Sequence, residues 1–122
     1  MRLILVATDG SESANRAVDA AAKLAKVFDA TLLIANAVDH NILAKDEISQ
    51  FRRTEGISLG DALEAMSLAI LTQAERQART HLSSIETASL DGEPAKAVLE
   101  IAHERGVDAV VVGRRGRGQL TS

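Results

Sequence analysis

The sequence predicts an α/β fold built on an open, doubly wound parallel sheet, and three observations predict it. Leu3–Ala7 is a continuous apolar run containing Ile and Val, as expected of a strand buried on both faces. The pattern then changes period: Ala14, Ala17, Val18, Ala21, Leu24, Ala25 and Phe28 recur at steps of three and four, which draws one face of a helix. A second apolar run, Thr31–Val38, follows at once. Strand, helix and strand within about 35 residues is the size of a βαβ unit, whose strands lie parallel and whose crossover is right-handed.

Each element has local signals. The first strand stops at Thr8-Asp9-Gly10-Ser11, and Ser11 and Ser13 are both candidate N-caps for the helix. After the second strand, Asp39-His40-Asn41 and Thr54-Glu55-Gly56 read as breaks, with the charged stretch Asp46–Arg53 between them. Leu59, Ala62, Leu63, Met66, Ala69, Ile70, Ala74, Ala78 and Leu82 then recur at helical spacing. That helix would be about 24 residues and roughly 36 Å long. Ser84–Ser89 reads as a third strand, and Asp91-Gly92 as a turn. Pro94 suits the first position of another helix, with Ala95, Val98, Leu99 and Ala102 on its apolar face and Gly106 as its C-terminal cap. Val107–Val112 is the fourth strand, leading into Gly113-Arg114-Arg115-Gly116-Arg117-Gly118. The order of elements gives one domain over residues 1–122, with four strands.

Bulk composition narrows the function. Seventeen Asp plus Glu outnumber fourteen Lys plus Arg, which argues against duplex nucleic acid, a ligand gripped through basic contacts to phosphates. The absence of cysteine removes disulfides, thiolate chemistry and cysteine metal sites. The N-terminal apolar run ends at Asp9, too soon for a secretory core, and no stretch reaches the roughly 20 apolar residues of a membrane span. A cytoplasmic protein is expected.

Two strand ends carry the candidate chemistry. Ligands of open α/β sheets bind at the carboxyl ends of strands where the strand order reverses. If strands one and four are neighbours, Ala7-Thr8-Asp9-Gly10 and Val112-Gly113-Arg114-Arg115-Gly116 face one crevice. A carboxylate there can accept from ribose hydroxyls or hold Mg2+, while glycines admit backbone N–H groups to phosphate oxygens and arginines add charge. Against this, Asp-Gly after a strand is a turn signal, and Asp9 could simply cap the next helix. The glycines could be a plain strand exit; three arginines among them favour anion binding. Neither better-known phosphate motif applies. No Gly-Lys pair exists for a P-loop, and the loop spacing G-x-x-G-x-G follows a late strand, not the first. His40, His81 and His103 have no metal-ligand spacing.

Four stretches together resemble the universal stress protein family: Leu3–Ser11, Ala30–Val38, Gly92–Ala102 and Asp108–Gly116. Gly113 and Gly116 match the first half of that family's ATP-binding signature, whose second half would fall beyond Ser122. The resemblance implies ATP or a related adenine nucleotide as ligand, with or without Mg2+, in a regulatory stress role. It places Asp9 on the ribose or metal, beside Ala7 and Thr8. The main chain at Ala37 would meet adenine, and Val112, Gly113, Arg114, Arg115 and Gly116 would lie along ribose and phosphates. The family's fifth strand, which commonly forms a homodimer, is expected to be absent here. That would leave Val110–Val112 as a bare edge and the domain C-terminally incomplete. No residue stands out as a general base or nucleophile, so an enzyme is not expected beyond slow ATP hydrolysis. The alternative within the family is a protein-interaction module using the long helix and residues 40–58. An enzyme of the wider adenine-nucleotide α-hydrolase-like class fits less well, since Thr8–Ser11 is a poor phosphate-gripping loop.

Overall fold

A computed structural model describes residues 1–39, 59–114 and 117–121. The expected breaks at 39–41 and 54–56 and the charged turn at 46–53 lie, apart from Asp39, outside the described residues. The elements are β1 (Leu3–Ala7), α1 (Glu12–Phe28), β2 (Thr31–Val38), α2 (Leu59–Ala78), β3 (Ile85–Asp91), α3 (Pro94–Arg105), β4 (Ala109–Arg114) and β5 (Arg117–Thr121). They form one sheet in the order β3-β2-β1-β4-β5. β1, β2, β3 and β4 are parallel, with Ala7 opposite Ala35 on one side and Val112 on the other. The strand order reverses between β1 and β4, which are neighbours.

The expected bare edge is corrected. β5 runs antiparallel to β4, pairing Val110 with Thr121 and Arg114 with Arg117, so the sheet has five strands. A strand returning by a short connection can only be antiparallel, and it covers backbone groups that an exposed β4 would leave open. Other bounds move as well: β4 runs Ala109–Arg114 instead of Val107–Val112, so Gly113 and Arg114 belong to the strand. α2 ends at Ala78 instead of Leu82, and β3 extends through Asp91, the residue read as a turn.

The alternation of side chains divides the core in two. Ile4, Val6, Leu32, Ile34 and Val111 point to one face and are covered by α1 and α2 through Ala17, Val18, Ala21, Leu71 and Ala74. Leu5, Leu33 and Ala35 point to the other face, where α3 packs through Val98. α3 is the one described helix on that face, and it lies over β2 and β3.

Caps set the helix ends. Ser11 caps α1, its hydroxyl accepting from the Ala14 amide at 3.2 Å. α3 opens on Pro94, with Glu93 accepting from the Ala95 and Lys96 amides, and closes on Gly106 at φ 60°.

α1 is also tied by polar contacts to α2 and to the turn that follows it. Gln77 donates to the Asn15 carbonyl at 2.7 Å, and His81 lies 2.6 Å from Asp19. The His81 contact, and after it Lys23, holds the Asp19 carboxyl below its ordinary 3.8. A carboxyl with a lowered folded value adds stability above its unfolded value and loses it as pH falls through the folded one. His81→Ala should therefore raise the Asp19 pKa and shrink the loss of stability below about pH 4. A carboxyl-detected NMR titration checks this; an unmoved Asp19 would rule the contact out in solution.

Candidate functional site

The site is built where β1 and β4 end side by side. β1 stops at Ala7, but its hydrogen bonding continues for half a step, since the Thr8 amide donates to the Ala35 carbonyl at 2.9 Å. Thr8 is buried, and its hydroxyl accepts from the Gly10 amide at 3.1 Å. This turns the chain off the sheet between Thr8 and Gly10. Gly10 sits at φ 82°, and a Cβ there would come within 3.2 Å of the Ile70 side chain on α2.

Asp9 rides on this turn, exposed, with Oδ1 accepting from the Ser11 amide at 2.9 Å. The Ser11 hydroxyl, then the Ser11 amide, hold the Asp9 carboxyl below its ordinary value. Asp9 is therefore ionised at neutral pH. A carboxylate that repels phosphate is suited to accept from hydroxyls or meet a cation. Ser11, not Asp9, is the N-cap of α1, and the bond from the Ser11 amide to Asp9 is the local turn contact that Asp-Gly after a strand leads one to expect.

On the neighbouring strand, Gly113 is pressed against the start of α1. A Cβ there would lie 2.6 Å from the Ser13 carbonyl oxygen and 2.8 Å from its carbon. Only glycine lets β4 and α1 approach so closely, and the approach brings the Gly113 backbone up beside the Asp9 turn.

Ala37 enters from β2. Hydrogen bonds alternate along this strand: the Thr31 amide reaches Arg2 on the β1 side, and the Leu32 amide reaches Ser84 on the β3 side. Odd-numbered residues thus face β1, and the N–H and C=O of Ala37 face the side that β1 has vacated after Ala7.

These residues share one cleft of about 730 Å³, lined by Ala7, Thr8, Asp9, Ala37, Val112 and Gly113 among others. Its volume lies within the range of small-molecule sites. It continues between α3 and β4 past Val98, Leu99, Val107 and Val110, and His103 and Asp108 also line it. Of the other expected residues, Arg114 closes β4 opposite Arg117, while Arg115 and Gly116 lie outside the described residues. Among the described residues no group of three or more His, Cys, Asp or Glu could hold a metal ion. No described helix is long and apolar enough to cross a membrane.

Sequence reading missed Asn36. It is buried in β2 and donates through Nδ2 to the Thr8 carbonyl at 2.8 Å. A polar residue inside the apolar run Thr31–Val38 was the available signal.

An open α/β sheet with a ligand-sized cleft at its strand-order reversal belongs to the doubly wound class, whose ligands bind outside the carboxyl ends of the strands. The profile of the universal stress protein family matches residues 1–122, and the chain belongs to that family. The chain is 32% identical over 116 residues to universal stress protein YxiE of Bacillus subtilis, covering 93% of this chain and 78% of that protein. It is 31% identical over 117 residues to universal stress protein Rv1636 of Mycobacterium tuberculosis, covering 94% and 77%. The crystal structure of Rv1636 superposes with a TM-score of 0.66 over 92% of this chain and 70% of that one. A universal stress protein crystallised in complex with cAMP superposes with a TM-score of 0.69 at 29% identity, covering 89% and 69%.

Proposed function

We propose that this protein binds an adenine nucleotide in the cleft at the carboxyl ends of β1, β2 and β4, and that it acts by binding, not by catalysis. The observation that carries the reading is the convergence of Asp9, Gly113 and Ala37 from three adjacent strands on one cleft. Each offers what one part of a nucleotide needs. The ionised Asp9 accepts from ribose hydroxyls. The Ala37 backbone presents a donor and an acceptor to the edge of the base. The Gly113 backbone stands where phosphates would follow, with Arg114, Arg115 and Gly116 next in sequence. The similarity to a universal stress protein crystallised with cAMP supports the same ligand class.

A Mg2+ ion in this reading arrives with the phosphates and meets Asp9; the other carboxylate lining the cleft, Asp108, accepts from the Arg2 and Leu3 amides where β1 begins. Asp9 is committed to hydroxyls or metal, which leaves a bound ATP without a strong base to activate water. A regulatory role in the cytoplasm follows, alone or as a homodimer.

Calorimetric titration of AMP, cAMP and Mg-ATP into the protein tests the proposal. Asp9→Ala is expected to weaken binding roughly 10- to 100-fold, the loss of a charge-assisted hydrogen bond worth about 1.5–3 kcal/mol. Equal binding by wild type and Asp9→Ala would remove Asp9 from the site. No binding of any of the three by wild type would end the nucleotide reading. Rapid hydrolysis of ATP lost in the Asp9 variant would make the protein an enzyme.

A further inference from the structure

Asn36 is one of three polar residues that are buried among the described residues, with Thr8 and Ser67. Two of the three meet at the cleft, where Asn36 Nδ2 donates to the Thr8 carbonyl at 2.8 Å. In a parallel ladder, the rung after Thr8 N–H to Ala35 C=O would be Ala37 N–H to Thr8 C=O. Among the described backbone hydrogen bonds that rung is absent. The Asn36 side chain takes the carbonyl in its place.

We infer that Asn36 is a positioning residue for the nucleotide site, acting by ending the β1–β2 ladder one rung early. This rests on the proposed nucleotide reading and assigns to it a residue that itself need not touch the ligand. Two consequences follow from one hydrogen bond. The Thr8 carbonyl belongs to the same rigid peptide plane as the Asp9 amide, so fixing it fixes the direction in which the Asp9 side chain leaves the backbone. The Ala37 amide, denied the Thr8 carbonyl, stays directed at the cleft for the edge of a base. Without a side-chain donor at position 36, the Thr8 carbonyl would be buried and unsatisfied, and its nearest remedy is the missing rung. The ladder would then lengthen and withdraw the Ala37 amide from the ligand.

The test needs a readout that mere loss of stability would not move. Amide hydrogen exchange reports the rung directly. The Ala37 amide should exchange readily in wild type and become protected in Asn36→Ala, while the Ile34 amide, inside β2, should follow global stability in both proteins. AMP affinity by calorimetry reports the consequence, and Asn36→Ala is expected to lose at least about 10-fold, or about 1.4 kcal/mol. Asn36→His, which returns an N–H donor at similar reach, should recover most of the affinity. In the Asp9→Ala background, Asn36→Ala should cost less than it does alone, because part of its effect runs through Asp9.

Wild-type affinity in Asn36→Ala, with the protein folded, would overturn the inference. So would fully additive losses together with an Ala37 amide that exchanges as before. If wild type binds no AMP, the nucleotide reading itself fails, a result separate from any behaviour of the Asn36 variants. If Asn36→Ala does not fold, an Asn36→His protein that folds but binds no AMP would also overturn it.

Discussion

Gly113→Ala is expected to lower Tm by roughly 10–20 °C and to remove nucleotide binding with it. The new methyl carbon would stand 2.6 Å from the Ser13 oxygen, 2.8 Å from the Ser13 carbonyl carbon and 3.0 Å from Ala14 Cα. All three are backbone atoms, so no rotamer change relieves the contact. Either β4 or the first turn of α1 must shift. Overpacking of this kind costs about 3 kcal/mol, a large share of a small domain's stability. The first turn of α1 carries the Ser11 cap, whose amide also holds Asp9, so a shift there reaches the site directly. Thermal unfolding followed by circular dichroism checks the first effect and AMP titration the second. A Tm change below about 3 °C would mean that α1 slides away freely.

Ile34→Ala should destabilise the protein by about 3–4 kcal/mol. Ile34 is fully buried in β2 and belongs to the core beneath α1 and α2. Its pairing with Val6 on one side and Thr87 on the other leaves little room for the sheet to collapse into the gap. Leu99→Ala is the control. Leu99 is 68% exposed, and its truncation should change stability by no more than about 0.5 kcal/mol. Urea unfolding of both variants decides the matter. Similar midpoints would contradict the burial that divides these two residues.

Most of the fold was legible because its signals are local. Leu3–Ala7 and Thr31–Val38 are continuous apolar runs, and burial on both faces of a sheet leaves that pattern. Pro94 and Gly106 marked the ends of α3 because each supplies a backbone geometry that few other residues accept. β5 was not legible. Its sequence, Arg-Gly-Gln-Leu-Thr, has one apolar residue and no alternation that points to a strand. It pairs because β4 offers an edge, a fact about the assembled sheet and not about the segment. The third strand's extension to Asp91 has the same origin, since Val38 in β2 pairs with it.

The candidate site divides similarly. Asp9 and Gly113 were legible as types suited to a ligand at strand ends, and the topology made them neighbours. The reason for Gly113 differs from the one its sequence suggested, since close packing against Ser13 requires a glycine there before any phosphate is considered. The role of Asn36 was hidden because its partner, the Thr8 carbonyl, lies 28 positions away and is backbone. A polar residue inside an apolar run marks Asn36 in the sequence, but it does not say which carbonyl that residue serves.

The position of β1 has a consequence for how the chain is made. β1 is the first of these five strands to be made, yet it occupies the middle of the sheet, and its second neighbour is β4. Ile4 pairs with Ala109, so one flank of β1 stays unpaired while the intervening residues are synthesised. At about 5–20 residues per second that interval lasts roughly 5–20 s. During it, an edge of Ile, Leu and Val is open to any nascent neighbour. Slow translation between α1 and β4 would lengthen that exposure, and the yield of soluble protein in cells should be more sensitive to codon speed there than to speed within β5.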